Sequence, residues 1–275
     1  MSRRAASPAT GEQMAALVAE DAAVLTASLA RAPSDPRGVH EARKAVRRLR
    51  SVLALARDPL GEPARALDRQ LRGIAKGLSA LRDGQVVQET AASIARESQD
   101  SEDAANWRLI VDALAQRQAR LLASTLEKDP GFARRQTQAH RHAERLGQLP
   151  WQNVHAADLR RALEKSARRQ QRAQHAALAS GQADDLHDWR RKSRRLRMQL
   201  NAMKKLRLRA LPHGTQALPG SAKHITQLVD QLGALQDLEL LHKALRALER
   251  ERPPAATTLP TRHAAPVREQ VLPLA

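Results

Sequence analysis

Along most of the chain apolar residues return every three or four positions, the period of one helix face, while β-branched runs and alternating patterns are scarce. Ala, Leu, Arg, Gln and Glu dominate, which favours helices almost throughout. The expected fold class is all-α, with helices near 11–31, 37–57, 63–82, 84–98, 103–128, 131–147, 155–179, 184–210, 221–236 and 237–251. Asp35-Pro36 and Asp129-Pro130 each read as an N-cap with proline at the first helical position. Breaks are predicted at Asp58-Pro59, at Pro150, at Pro212 with Gly214, and at Pro219-Gly220-Ser221. Residues 1–10 read as a flexible N-terminus. Residues 253–275 hold Pro253, Pro254, Pro260, Pro266 and Pro273 and too few grouped apolar residues to offset ordering entropy, so they read as a Pro-rich tail.

The pattern repeats itself. VHEARKAVRRLR at 39–50 aligns with LHDWRRKSRRLR at 186–197, pairing His40 with His187, Arg43 with Arg190, Lys44 with Arg191, Arg47 with Arg194, Arg48 with Arg195 and Arg50 with Arg197. Downstream, LRGIAKGLSALRD at 71–83 aligns with ITQLVDQLGALQD at 225–237, ending at Asp83 and Asp237. The chain therefore divides into two related helical bundles, about 11–149 and 150–252.

On a wheel of 3.6 residues per turn, His40, Arg43, Lys44, Arg47 and Arg50 share a sector of roughly 120°, with Arg48 at its margin. Ala42, Val46, Leu49 and Leu53 lie beside it as a core face. The second copy does the same, with His187, Arg190, Arg191, Arg194 and Arg197 against Trp189, Leu196, Leu200 and Met203. A further helix adds Arg161, Lys165, Arg168, Arg169, Arg172 and His175, and Lys76 and Arg82 lie on the second repeated segment. Like charges at these spacings repel, and the stripes look short of compensating acids, so an anionic ligand is expected to cancel them. Arginine suits phosphate because its planar fork donates two parallel hydrogen bonds. Successive arginines stand about one turn, 5.4 Å, apart, which fits a chain of phosphates better than one small anion. His40 and His187 either donate to phosphate or pin the helix start, and Asp83 and Asp237 read as carboxylates ordering a nearby arginine.

Composition narrows the ligand. Formal charge is +18, from 47 Lys and Arg against 29 Asp and Glu, which calls for an acidic partner. There is no Cys, excluding disulfides, thiol catalysis and thiolate metal sites. With no Tyr, Phe132 as the lone Phe, and Trp107, Trp151 and Trp189, the chain has little on which to stack bases. A linear polyanion without bases fits best, and a basic helical protein gripping a nucleic-acid backbone is the alternative. No P-loop, nucleophile with an oriented base, or carboxylate cluster for Mg²⁺ is evident, so neither enzymatic activity nor a cofactor or metal is expected. His140-Arg141-His142 reads as surface. Charged residues interrupt each apolar run short of the roughly 18 to 20 residues of a membrane span, and Glu12, Glu20 and Asp21 break any secretory segment, so a cytoplasmic location is expected.

The motif H-x-x-R-x-x-x-R-R-L-R, at His40–Arg50 and again at His187–Arg197, with a following helix closing near L-G-x-x-R-D, resembles the CHAD domain (conserved histidine α-helical domain). The resemblance covers roughly 11–250. It implies two four-helix bundles related by a pseudo-two-fold axis, with a basic surface and central pore that bind inorganic polyphosphate. Members stand alone or fused to triphosphate-tunnel enzymes, and bacterial ones associate with polyphosphate granules. By this likeness the family's basic contacts fall on His40, Arg43, Lys44, Arg47 and Arg50, and on His187, Arg190, Arg191, Arg194 and Arg197. Two positions depart from the closing motif: Ser79 stands where glycine is usual, and Gln236 where arginine is. The second bundle is expected to lack a full last helix.

Overall fold

The computed structural model describes residues 9–208 and 222–251. The expected flexible N-terminus through Pro8, the break at Pro212–Ser221 and the tail from Arg252 onward fall outside the described residues. Nine α-helices make up the described fold: α1 (Thr10–Arg31), α2 (Pro36–Leu55), α3 (Arg57–Gly77), α4 (Ser79–Glu97), α5 (Ser101–Lys128), α6 (Ala133–Gly147), α7 (Ala156–Ser180), α8 (Ala183–Lys205) and α9 (Ala222–Glu251).

Local chemistry sets most boundaries. Asp35 accepts from the Arg37 amide at 2.9 Å and Pro36 opens α2, as its sequence requires. The Asp129-Pro130 pair behaves differently. Pro130–Phe132 is a short 3-10 turn, and α6 begins at Ala133. Asp129 still accepts from the Arg134 amide at 2.9 Å, and its other oxygen takes Arg135 Nη1 at 2.6 Å. The expected break at Asp58-Pro59 is a kink inside α3, made at Gly61, whose φ of 63° suits glycine. The helix pair expected at 221–236 and 237–251 is instead the unbroken α9, because no proline or cap interrupts its backbone ladder there.

The helices pack as two repeats. α1 lies on α2, and α7 on α8 in the same order; α3 and α4 correspond to the single α9. Equivalent elements then meet across the middle, α2 on α8 and α4 on α9, the mark of a pseudo-two-fold arrangement. α6 covers α1 and α5 covers α4 in the first half. Among the described residues the second half has no counterpart of either. One apolar core runs through both halves, with the equivalent residues Leu49 and Leu196 both fully buried. Truncating either to Ala would cost about 2–5 kcal/mol. Close backbone approach at the α1–α2 turn fixes Gly38, where a Cβ would lie 2.6 Å from the Ala32 backbone.

One helix is more apolar than its interrupting acids suggest. In α1 an 18-residue window reaches a mean hydropathy of 1.2, so by length and composition this helix could cross a membrane, against the expectation that no run approaches a span. Here it is a core helix. Met14, Val18, Leu25 and Leu29 are buried, and Asp21 binds Arg48.

Candidate functional site

Because α2 and α8 carry the same motif and meet at the pseudo-two-fold, their basic faces converge. Arg43, Arg47, Arg190 and Arg194 act on one another electrostatically, with Arg82 from α4 and Arg197 joining them. Among the described residues, Arg47 and Arg194 find no carboxylate within ion-pair reach and no side-chain hydrogen-bond acceptor. Burial, then the neighbouring Arg43, Arg190, Arg82 and Arg48, pulls the Arg47 pKa down to about 10. Burial, then Arg47, Arg190, Arg43 and Arg197, pulls that of Arg194 to about 9. Both remain charged at neutral pH, so each is a half-buried cation held among cations.

Arg43 and Arg190 frame this pair and are held by neutral acceptors. Arg43 Nη1 donates to the Ala75 carbonyl and to Ser79 Oγ, both at 2.7 Å. Arg190 Nη1 donates to Gln236 Oε1. The two departures from the family motif are thus both explained by contacts. Ser79 supplies an acceptor in the first half, while Gly233, its equivalent, leaves room: a Cβ there would stand 3.2 Å from Arg190 Nη2. Asp83 acts electrostatically on Arg43 and Asp237 on Arg190, without an ion pair or hydrogen bond to either among the described residues. Burial pushes both carboxyls above the usual aspartate value. The Nε atoms of Arg43, Arg47 and Arg190 are buried without a hydrogen-bond partner among the described residues.

Elsewhere the stripes are less bare than they look on a helical wheel, because acids reach them from other helices or from neighbouring turns of the same one. Arg48 Nε lies 2.5 Å from Asp21 on α1, and Arg50 Nε lies 2.8 Å from Asp68 on α3. Arg197 meets Asp230 on α9 at 3.2 Å, Arg191 meets Asp188 at 2.9 Å, and Arg82 meets Glu89 at 3.2 Å. Lys44 is exposed beside Glu41 at 3.6 Å. Each motif histidine also has an acid, Glu41 at 3.8 Å from His40 and Glu239 at 3.2 Å from His187. Burial, then Arg82, lowers the His40 pKa below the ordinary histidine value. The expectation of stripes short of compensating acids is therefore corrected for these positions.

On α7, Lys165, Arg168, Arg169 and Arg172 are exposed. Arg161, Glu164, Lys165, Arg168 and Arg172 line a shallow depression of about 440 Å³. None of these residues is among the leading charges acting on Arg47 or Arg194. Lys76 is exposed on α3. His140 and Arg141 are exposed, as expected, whereas His142 is half-buried with Nδ1 unpartnered among the described residues. Three contributors escape sequence reasoning: Gln236, Glu239 and Arg57, the last of which acts on Arg195. Only the position of Gln236, where the motif favours arginine, marks it in the sequence.

Comparison with curated protein sequences finds no match. Among solved structures, the crystal structure of the CHAD domain from the plant Ricinus communis superposes with a TM-score of 0.65 at 22% sequence identity, covering 91% of this chain and 82% of that one. That likeness carries the fold. The CHAD domain family model matches residues 9–266. With its repeated motif, its paired helical halves and a family match over nearly its whole length, the chain belongs to the CHAD domain family.

Proposed function

We propose that this protein binds inorganic polyphosphate without catalysing its turnover. One observation carries the reading: Arg43, Arg47, Arg190 and Arg194, drawn from equivalent positions of two repeats, converge partly buried, with no carboxylate of the described residues within ion-pair reach of Arg47 or Arg194. Holding uncompensated guanidinium groups away from water is unfavourable, and an anion relieves it. Several donors in a row, around a pseudo-two-fold, match an extended phosphate chain. The scarcity of aromatic side chains matches a ligand without bases. His40, Lys44, Arg82 and His187 rim the arginine group and add donors once a polyanion competes with their acids. The same chemistry would hold the protein in the cytoplasm at polyphosphate granules, which localisation of a fluorescent fusion would test.

The test is a titration with polyphosphates of graded length beside a single-stranded RNA of matched charge, at physiological salt. Polyphosphate should bind more tightly, with affinity rising with length until the arginine row is filled. Equal or tighter binding of RNA would replace this reading with one of nucleic-acid binding.

A further inference from the structure

Outside the central arginine group a second cationic cluster forms where α2, α3, α7 and α8 approach. Arg195 is its centre. It is half-buried, has no ion pair or hydrogen bond among the described residues, and is acted on by Arg50, Arg57 and Arg169. The one carboxylate acting on it, Asp68, is taken by Arg50 through contacts of 2.8 and 3.3 Å. Among the described residues Arg57 and Arg169 form no ion pair either. The leading charges on Arg195 are Arg50, Asp68, Arg57 and Arg169, whereas those on the neighbouring Arg194 are Arg47, Arg190, Arg43 and Arg197.

The first repeat shows what is missing. Arg48 is the equivalent of Arg195, and it is neutralised by Asp21, a residue 27 positions earlier whose side chain is only 7% exposed. The turn between α7 and α8 is two residues shorter than that between α1 and α2, so the buried position equivalent to Asp21 is Gln170, whose amide donates to Ser193 Oγ at 3.3 Å. Where one half supplies an acid, the other supplies a neutral amide. The buried cation of the second half therefore lacks the internal counter-charge of the first, and exposed Arg169 and Lys165 lead from it to solvent along α7.

We infer that Arg195, with Arg50, Arg57 and Arg169, forms a second anion site for the phosphate groups of an oligophosphate, in one half of the molecule only. It shares with the proposed function the chemistry of its ligand and stands on separate residues. Several half-buried or flanking guanidinium groups around one engaged carboxylate offer the paired donors that terminal phosphate oxygens accept. A long chain gripped at the centre would meet this site as a second station, and a short one would fill the two sites independently.

Calorimetric titration of the full chain with tripolyphosphate tests this, using Arg195→Met and Arg169→Glu singly and the double variant Arg47→Met/Arg194→Met. The exposed Arg169→Glu change guards against misfolding of the Arg195 variant. Two equivalents should bind to the unaltered protein. Arg195→Met and Arg169→Glu should each weaken one equivalent by about ten- to a hundredfold and spare the other, while the double variant does the reverse. A single equivalent lost only in the double variant overturns the second site and leaves the central one. A single equivalent lost only with Arg195 and Arg169 overturns the central reading and leaves this one. Two equivalents insensitive to Arg195 and Arg169, or no binding at all, overturn the inference.

Discussion

Arg47 and Arg194 occupy the same place in the two repeats, and Arg47 lowers the proton affinity of Arg194 across the α2–α8 contact. Among the described residues neither has a carboxylate to offset it. A fold that meets such a pair without ligand is less stable than the same fold with apolar side chains there. Arg194→Met should therefore raise the unfolding midpoint of the free protein, by on the order of 1 kcal/mol or about 2–4 °C. The same change should weaken polyphosphate binding at least tenfold. Thermal melts with and without polyphosphate check both, since ligand should lift the midpoint of the parent far more than that of the variant.

Polyphosphate affinity should fall steeply with salt, with a log–log slope of about 0.7 per phosphate neutralised. Arg43→Ala and Arg190→Ala should each lower that slope by roughly the share of one phosphate. A flat salt dependence in fluorescence titrations would sink the arginine row as the binding surface.

Arg48 should behave oppositely to Arg194. Its guanidinium is engaged with the buried Asp21, so Arg48→Ala strands a carboxylate on the core side of α1. A loss of about 1.5–3 kcal/mol of stability is expected from denaturant unfolding, with polyphosphate affinity changed less than threefold. Asp21→Asn should restore part of the stability in the Arg48→Ala background, because the orphaned charge is then gone.

Protonation of His40 links binding to pH. In the free protein its pKa lies below the ordinary value, chiefly through burial and then Arg82. A polyanion raises it, so binding takes up a proton and affinity should strengthen as pH falls from neutrality through the usual histidine range. For the free protein the sign is reversed: the unfolded histidine accepts its proton first, so the contribution of His40 to stability is lost as pH drops through about 6.5. Comparing the parent with His40→Gln at pH 7.5 and 5.5, in both melts and titrations, isolates these opposite trends.

Much of this was legible in the sequence. The repeat, the basic faces of α2 and α8, and the convergence of Arg47 with Arg194 all follow from three-and-four spacing and the duplicated motif. What stayed hidden depends on chain segments far apart in sequence. Asp21 and Asp68 reach Arg48 and Arg50 from other helices, and no spacing on α2 announces them. The break expected between 236 and 237 is absent because nothing on that stretch of α9 interrupts its backbone ladder, and Gly233 is buried within the helix, where it gives Arg190 its space. The apolar length of α1 escaped notice because a few acids do not make a long apolar helix polar; only its packing shows where those apolar residues go.

The pseudo-two-fold has a consequence for what can thread the cradle. An inorganic phosphate chain reads identically from either end, so under the proposed function each repeat would grip its own stretch in the same sense whichever end entered first. A single nucleic-acid strand has a head and a tail. Laid across two equivalent half-sites related by such an axis, it presents one half with the reverse of what it presents to the other, and only one of the two can be matched well.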